Sequence, residues 1–220
     1  MDDSFNDVTN HPWGRDFMDT LFSKGYMAPK TPYLFMPNDP ISRGEFVTML
    51  VKIYDIPLIN QDTLESIAGN TTAPGTFYDV PRGYTDPLGL YDFLSIEAAA
   101  RAGIVRGNSN ATFSPRSEIS RQDAAVMIAR ADKKLKIGTD DKKSLAALQK
   151  LFTDANLINI YALTSIEAIS KAKIIEGKDN VLISGQKKVT QRFDPTESFT
   201  RAEAAAVAMR VLKQQNKIPK

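Results

Sequence analysis

Phe113-Ser114-Pro115 is followed, six residues after the proline, by Arg121 in the string Ile119-Ser120-Arg121-Gln122-Asp123. The same figure occurs as Phe35-Met36-Pro37 with Ile41-Ser42-Arg43-Gly44-Glu45, and as Phe193-Asp194-Pro195 with Phe199-Thr200-Arg201-Ala202-Glu203. From Phe35 to Arg43, Phe113 to Arg121 and Phe193 to Arg201 the separation is eight residues each time. Upstream of each figure stands aromatic-x-Asp, as Phe5-Asn6-Asp7, Phe77-Tyr78-Asp79 and Phe152-Thr153-Asp154. Self-similarity in a fixed order marks a repeat architecture. The chain reads as repeats at 1–55, 77–136 and 152–214, with inserts at 56–76 and 137–151 and a tail at 215–220.

Helical spacing of apolar residues, as in Phe17 and Leu21 or Ile166 and Ile169, predicts a first helix in each repeat: Trp13 to Lys24, Tyr91 to Ala102 and Tyr161 to Ala172. Gly25 and Gly103 stand where a left-handed C-terminal cap falls; the third repeat has Lys173 there. Second helices are predicted over Ser42 to Tyr54, Ser120 to Leu135 and Thr200 to Gln214, and a short one over Asp140 to Lys150 capped by Thr139. Stripes of small residues, Ala124, Ala125, Ile128 and Ala131, then Ala204, Ala205, Ala208 and Val211, allow close helix approach. The expected fold is therefore mainly α, with the second helices packed together at the centre.

Composition narrows the function. Of 220 residues 42% are hydrophobic and 25% charged, as in a globular protein and not a disordered one. Lys plus Arg is 28 against 26 Asp plus Glu, a net charge of +2 that argues against a nucleic-acid binder. There is no cysteine, and His11 is the single histidine, which excludes thiol catalysis, thiolate zinc, disulfides and any Ser–His triad not built on His11. No apolar run approaches the roughly 18–20 residues of a membrane span, so no membrane insertion is expected. Met1-Asp2-Asp3-Ser4 lacks the basic and apolar parts of an export leader, so an exported form is expected to have had its leader removed. No catalytic residue, metal or cofactor is implied. The sequons at Asn70 and Asn110 read as incidental loop chemistry.

The second helices carry the chemistry. Ser42 and Glu45, Ser120 and Asp123, and Thr200 and Glu203 have capping-box spacing, though the shorter arm of Asp123 reaches back less well. Arg43, Arg121 and Arg201 fall at the first helical position, where the helix dipole disfavours a cation. Three arginines in that register ask for an anion. Helix amides plus a guanidinium fork would make a carboxylate or phosphate site. The alternative is an internal salt bridge to an aspartate such as that of the aromatic-x-Asp loop. Asp7, Asp79 and Asp154 can equally cap the next helix, pair with the arginine or touch a ligand. Trp13 fits the core as well as a sugar platform.

Aromatic-x-Asp-Val, a Trp-bearing helix, Gly-Ile-Val-x-Gly at 103–107, Phe-x-Pro and Ser/Thr-Arg-x-Glu together resemble the S-layer homology domain of bacterial surface proteins. The resemblance runs from Phe5 to about Leu212 as three copies in one order. It implies a single-chain monomer with pseudo-threefold symmetry, a central three-helix bundle and three inter-repeat grooves. It also implies a secreted, cell-wall location on Gram-positive cells and a partner, the secondary cell wall polysaccharide, bound through pyruvylated N-acetylmannosamine. The family's functional arginine maps onto Arg43, Arg121 and Arg201, and its loop after the aspartate onto residues 7–13 and 79–84. The pyruvate ketal supplies the carboxylate that those arginines ask for. Trp13, Gly83 and Tyr84 offer a sugar wall and backbone donors, and Gly107 a close backbone approach, with Asp7, Asp79 and Asp154 completing the expected ligand set.

Departures from the pattern predict unequal grooves. Pro29 stands where the second repeat has Gly107, and Asp154-Ala155-Asn156-Leu157 lacks the continuation seen at Val80-Pro81-Arg82-Gly83. The third repeat also carries a ten-residue insert with Lys187 and Lys188, so the Arg201 groove is expected to differ most. Two other classes compete: a helical module binding a protein partner at the cell surface, and a carbohydrate-active enzyme. Successive aromatic-x-Asp motifs lie 72 and 75 residues apart, against periods of about 33–47 in helical adaptors, and a glycosidase dyad leaves little trace in sequence.

Overall fold

The computed structural model describes residues 7–8, 12–59, 75–107, 111–182, 184–186 and 188–219, except the side chains of 12–14. Phe5, His11, Asn70, Asn110, Lys187 and the Trp13 side chain lie outside the described set. The described residues form α1 (Pro12–Ser23), α2 (Arg43–Ile53), α3 (Phe93–Arg101), α4 (Arg121–Ala131), α5 (Asp141–Leu148), α6 (Leu163–Lys171) and α7 (Arg201–Gln214). Strands β1 (Lys178–Asp179) and β2 (Gln191–Arg192) pair antiparallel, Lys178 opposite Arg192, at the base of the third repeat's insert. The fold is mainly α, as the periodicity predicts.

Each first helix ends on a left-handed residue: Gly25 at φ 72, Gly103 at φ 73 and Lys173 at φ 55. Lys173 thus takes the glycine conformation despite its Cβ, which identifies the cap as a property of the repeat. The short helix α5 is capped by Asp140, whose side chain accepts from the Lys143 N–H, and not by Thr139 as the sequence suggested.

By contact the chain divides into Met1–Glu118 with Thr200–Lys220, and Ile119–Phe199. The cuts fall just ahead of α4 and α7 and inside the repeats. The cause is that each second helix packs on the first helix of the following repeat: α2 on α3, α4 on α6, and α7 back on α1. In the larger unit α2 and α7 also pack on each other, around Met18, Leu21, Phe46, Leu50, Ile96 and Ala208. In the smaller unit α4, α5 and α6 enclose Ile128, Leu148, Ile166 and Ile169.

The small-residue stripes are fully interior. Ala204, Ala205, Ala208 and Val211 are at most 1% exposed. A tryptophan at Ala205 is therefore expected to overpack α7 against its neighbours and to cost about 1–3 kcal/mol, read as a lower urea midpoint. An unchanged midpoint would remove the close packing of α7.

Candidate functional site

The N-termini of the second helices are fully hydrogen-bonded within the protein. Ser42, Ser120 and Thr200 each accept from the N–H three residues on, and Glu45 and Glu203 return the bond to close capping boxes. Asp123 does not return it; its carboxylate takes the Ser120 hydroxyl at 2.7 Å and the Tyr161 hydroxyl at 2.7 Å. The first two helical amides bind carbonyls of the following repeat. Arg43 and Gly44 donate to Ser117 and Pro115, Arg121 and Gln122 to Glu197 and Pro195, and Arg201 and Ala202 to Asp39 and Pro37, all at 2.9 Å. The anion cradle that the sequence suggested at these amides is thus occupied by backbone, because the loop after Phe-x-Pro docks there first.

The arginines follow the same rotation from repeat to repeat. Arg43 Nε donates to the Phe113 carbonyl at 3.0 Å, Arg121 Nε to Phe193 at 2.7 Å and Arg201 Nε to Phe35 at 2.7 Å. Each guanidinium also lies over the ring of that phenylalanine, 4.6–5.2 Å from its centroid. Arg121 and Arg201 reach a second carbonyl, Glu176 at 3.1 Å and Ala28 at 2.6 Å. Arg201 is 1% exposed and forms a buried ion pair with Glu45. Burial pulls its guanidinium below the ordinary value, while the charges of Glu45, Asp39 and Asp7 oppose that. Arg121 is 3% exposed, and Arg43 is half-buried. All three groups thus meet a carbonyl and a ring of the following repeat, and Arg201 also meets the Glu45 carboxylate.

Asp7, Asp79 and Asp154 neither cap a helix nor bond an arginine directly. Each accepts two consecutive backbone N–H groups of its own repeat's Phe-x-Pro. Asp7 takes Phe35 and Met36 at 3.0 and 2.6 Å, and Asp79 takes Phe113 and Ser114 at 2.8 and 2.7 Å. Asp154 takes Phe193 and Asp194, both at 2.8 Å. The middle residue is left-handed each time, with Met36 at φ 57, Ser114 at φ 57 and Asp194 at φ 56. That conformation is unfavourable for a residue with a Cβ and disfavoured ahead of proline. The carboxylate clip offsets the strain and turns the phenylalanine carbonyl toward the arginine.

Gly83 (φ 76) and Tyr84 lie together in an exposed turn, lining a cavity of about 170 Å³ with Arg82, Asp92 and Phe93. Gly107 does a packing job: a Cβ there would stand 2.9 Å from the Phe77 ring. Gly177, four residues after Lys173 as Gly107 is after Gly103, faces Phe152 in the same way at 2.6 Å. Trp13 lies in the first turn of α1 and not in a loop. It stands twelve residues before its cap residue Gly25, and Tyr91 and Tyr161 stand twelve before Gly103 and Lys173. The two tyrosines meet the N-terminus of the preceding second helix. Tyr91 covers Gly44, where a Cβ would come within 2.6 Å of its ring, and Tyr161 holds Asp123. Counting back from the caps would have added both to the candidate residues.

A second hollow of about 460 Å³ lies in the smaller unit between Phe152, Glu176, Gly177, Asp179 and Gln191. Beside Arg201 the space is only about 30 Å³. Repeat three's insert therefore serves the Arg121 junction, since Arg121 is the arginine that engages Phe193 and Glu176. This corrects the expectation that the insert sets the Arg201 groove apart.

Two acidic residues tie the inserts to the first helices. Glu97, 3% exposed, accepts from the Thr76 N–H at 2.8 Å and Arg101 Nε at 2.8 Å; Glu167 accepts from Ser144 and Lys171, both at 2.6 Å. Burial raises the Glu97 carboxyl, but the bonds from Thr76 and Arg101 outweigh it and hold the group below its ordinary 4.5. A depressed folded value gives stability that is present above the unfolded value and lost as pH falls through the folded one. Glu97→Gln is accordingly expected to be less stable than wild type at pH 7, with the gap closing below about pH 4.5. Urea unfolding of both proteins between pH 7 and 3 checks this; a gap that widens in acid would contradict it.

The sequence matches the S-layer homology domain at residues 4–47, 91–125 and 151–205, more than half of the chain. It is 26% identical to an amylopullulanase of Thermoanaerobacterium thermosulfurigenes over 99% of this chain and 10% of that protein. It is 25% identical to an endoglucanase of Bacillus sp. (strain KSM-635) over 94% of this chain and 18% of that protein. An S-layer protein of Bacillus thuringiensis subsp. finitimus is 25% identical over 96% of this chain and 21% of its own length. The chain spans a small part of each of these relatives. Relatives named as enzymes and as S-layer proteins alike match the same stretch, which carries the recurring clip, arginine and capping residues. With three matched segments in the order of the three repeats, the chain belongs to the S-layer homology domain family.

Proposed function

We propose that this chain anchors a cell-surface protein non-covalently by binding secondary cell wall polysaccharide, with pyruvylated N-acetylmannosamine as the sugar recognised, at its repeat junctions. Domains of this family anchor surface proteins to the cell wall and bind its polymers, and membership makes this a secreted, wall-associated chain. The observation that carries the finer reading is the threefold junction of clip, arginine and aromatic residue, set beside hollows at Gly83–Tyr84 and at Gly177. The chain performs no catalysis in this reading and acts as a monomer.

The site residues divide by reach. Gly83 and Tyr84, at the exposed turn, and Arg43, the half-buried one of the three arginines, meet the sugar, and Trp13 belongs to the ligand set that the family resemblance implies. Arg121, Arg201, Asp7, Asp79, Asp154 and Gly107 hold the walls in place, because their polar groups or packing faces are engaged inside the protein. The repeats at 1–55, 77–136 and 152–214 are the working units, and 56–76 and 137–151 are inserts. Co-sedimentation with purified Gram-positive sacculi tests the reading. The protein should pellet with intact sacculi and stay in solution once the secondary polymer is stripped. Equal pelleting with both would overturn it.

A further inference from the structure

Resting on that reading, we propose that the hollow at Gly177 is a subsite for an uncharged pyranose of the wall polymer, and that it turns the pyruvylated residue away.

Its polar wall is built by the third repeat's insert. Strand pairing sets Asp179 opposite Gln191, and cross-strand partners share a face, so Gln191 Nε2 donates to Asp179 Oδ1 at 3.1 Å. The next position serves the scaffold: Arg192 donates to both Asp194 oxygens at 3.0 Å and to the Asp179 carbonyl at 2.7 Å. On the far side of β2 the Thr153 N–H donates to the Gln191 carbonyl at 2.8 Å. The Asp179–Gln191 pair is thus held in place by backbone on both sides. The second Asp179 oxygen takes no bond from the described residues, and a carboxylate accepts several. Ser170 lines the same hollow, and its Oγ is buried without a partner among the described residues. A buried hydroxyl without a partner is costly, and a ligand hydroxyl reaching it removes that cost. Leu151, Phe152 and Ile175 give the hollow an apolar side, which suits the C–H face of a pyranose.

Size and charge select the ligand. At about 460 Å³ the hollow falls within the roughly 300–1,000 Å³ of ligand sites, whereas the Gly83–Tyr84 cavity and the space beside Arg201 fall below it. Glu176 and Asp179 are the charged residues of its described lining, and both are acids. Arg121, the repeat's arginine at this junction, is buried, with Nε on the Phe193 carbonyl and Nη2 on the Glu176 carbonyl. A carboxylate entering here meets like charge, while sugar hydroxyls donate to the acids and accept from the Gln191 amide. The pyruvylated residue is then left to another junction. It stays the tighter ligand of the whole chain, because a bidentate guanidinium–carboxylate pair exceeds a hydroxyl contact. The subsite is assembled once: 20 residues separate Lys173 from Phe193, but only ten separate Gly25 from Phe35 and Gly103 from Phe113.

The test is a nuclear magnetic resonance titration of the whole chain with methyl glycosides of unmodified and 4,6-pyruvylated N-acetylmannosamine. Unmodified sugar should shift the amide signals of Gly177, Asp179 and Gln191, and pyruvylated sugar should leave them in place. Asp179→Ala should lose about tenfold of the neutral-sugar affinity, as expected of a contact to a charged group. Ser170→Ala should lose a smaller factor with no drop in melting temperature, because its hydroxyl bonds nothing among the described residues. In the double variant Glu176→Gln, Asp179→Asn the pyruvylated sugar should begin to shift Gly177. Gly177 signals that ignore the unmodified sugar, or wild-type affinity in both Asp179→Ala and Ser170→Ala, overturn the subsite. Equal shifts at Gly177 with both sugars overturn the exclusion. Each of these leaves the functional reading intact while pyruvylated sugar still binds the chain. Shifts from neither sugar anywhere in the chain overturn the functional reading, and this subsite with it.

Discussion

Replacing Arg201 with alanine is expected to lower the unfolding free energy by about 3–5 kcal/mol, the range found when one partner of a buried ion pair is removed. Glu45 would be left buried and charged beside the carbonyls of Phe35 and Ala28, which would lose their donors. The same change at half-buried Arg43 should cost clearly less, although its bond to Phe113 is equivalent. Arg201→Lys should recover little, because a single ammonium cannot bridge two carbonyls, a carboxylate and a ring face together. Urea unfolding followed by circular dichroism gives the comparison. Equal and small losses at Arg43 and Arg201 would mean that the arginines are not structural.

Asp79→Ala should cost about 3 kcal/mol or more, since two bonds to a charged acceptor contribute roughly 1.5–3 kcal/mol each. The Phe113 and Ser114 amides would lose their acceptor, and Ser114 would be left in a left-handed conformation. Asp79→Asn should cost less, because its amide oxygen still accepts one of the two bonds. Adding Ser114→Gly to Asp79→Ala should recover about 1 kcal/mol, since glycine adopts positive φ without strain. A double variant no more stable than the single one would show that the clip does not hold that conformation.

The three repeats, their helices and the capping pairs were open to reading because each leaves side-chain signatures at fixed spacing: Ser42 with Glu45, Thr200 with Glu203, Gly25 and Gly103. The partners of the recurring residues were not. Arg201 engages the carbonyls of Phe35 and Ala28 across more than 160 positions, and a carbonyl has no residue signature. Asp79 likewise binds two amides that any residue could supply. Periodicity shows that an arginine recurs, but not that each second helix leaves its own repeat for the next. That exchange moved the third repeat's insert to Arg121 and filled the helix amides that an anion would have used. Tyr91 and Tyr161 lay within reach of sequence reasoning, because the register of Trp13 repeats twelve residues before each cap.

The central claim is that a carboxylate on the wall sugar is what the protein recognises. Titration of the wild-type protein with pyruvylated and unmodified N-acetylmannosamine, side by side, tests it most directly. The account predicts measurable binding of the pyruvylated sugar and an affinity at least about tenfold lower without the pyruvyl group, the difference expected of one guanidinium–carboxylate contact. Equal affinities for the two sugars would contradict it.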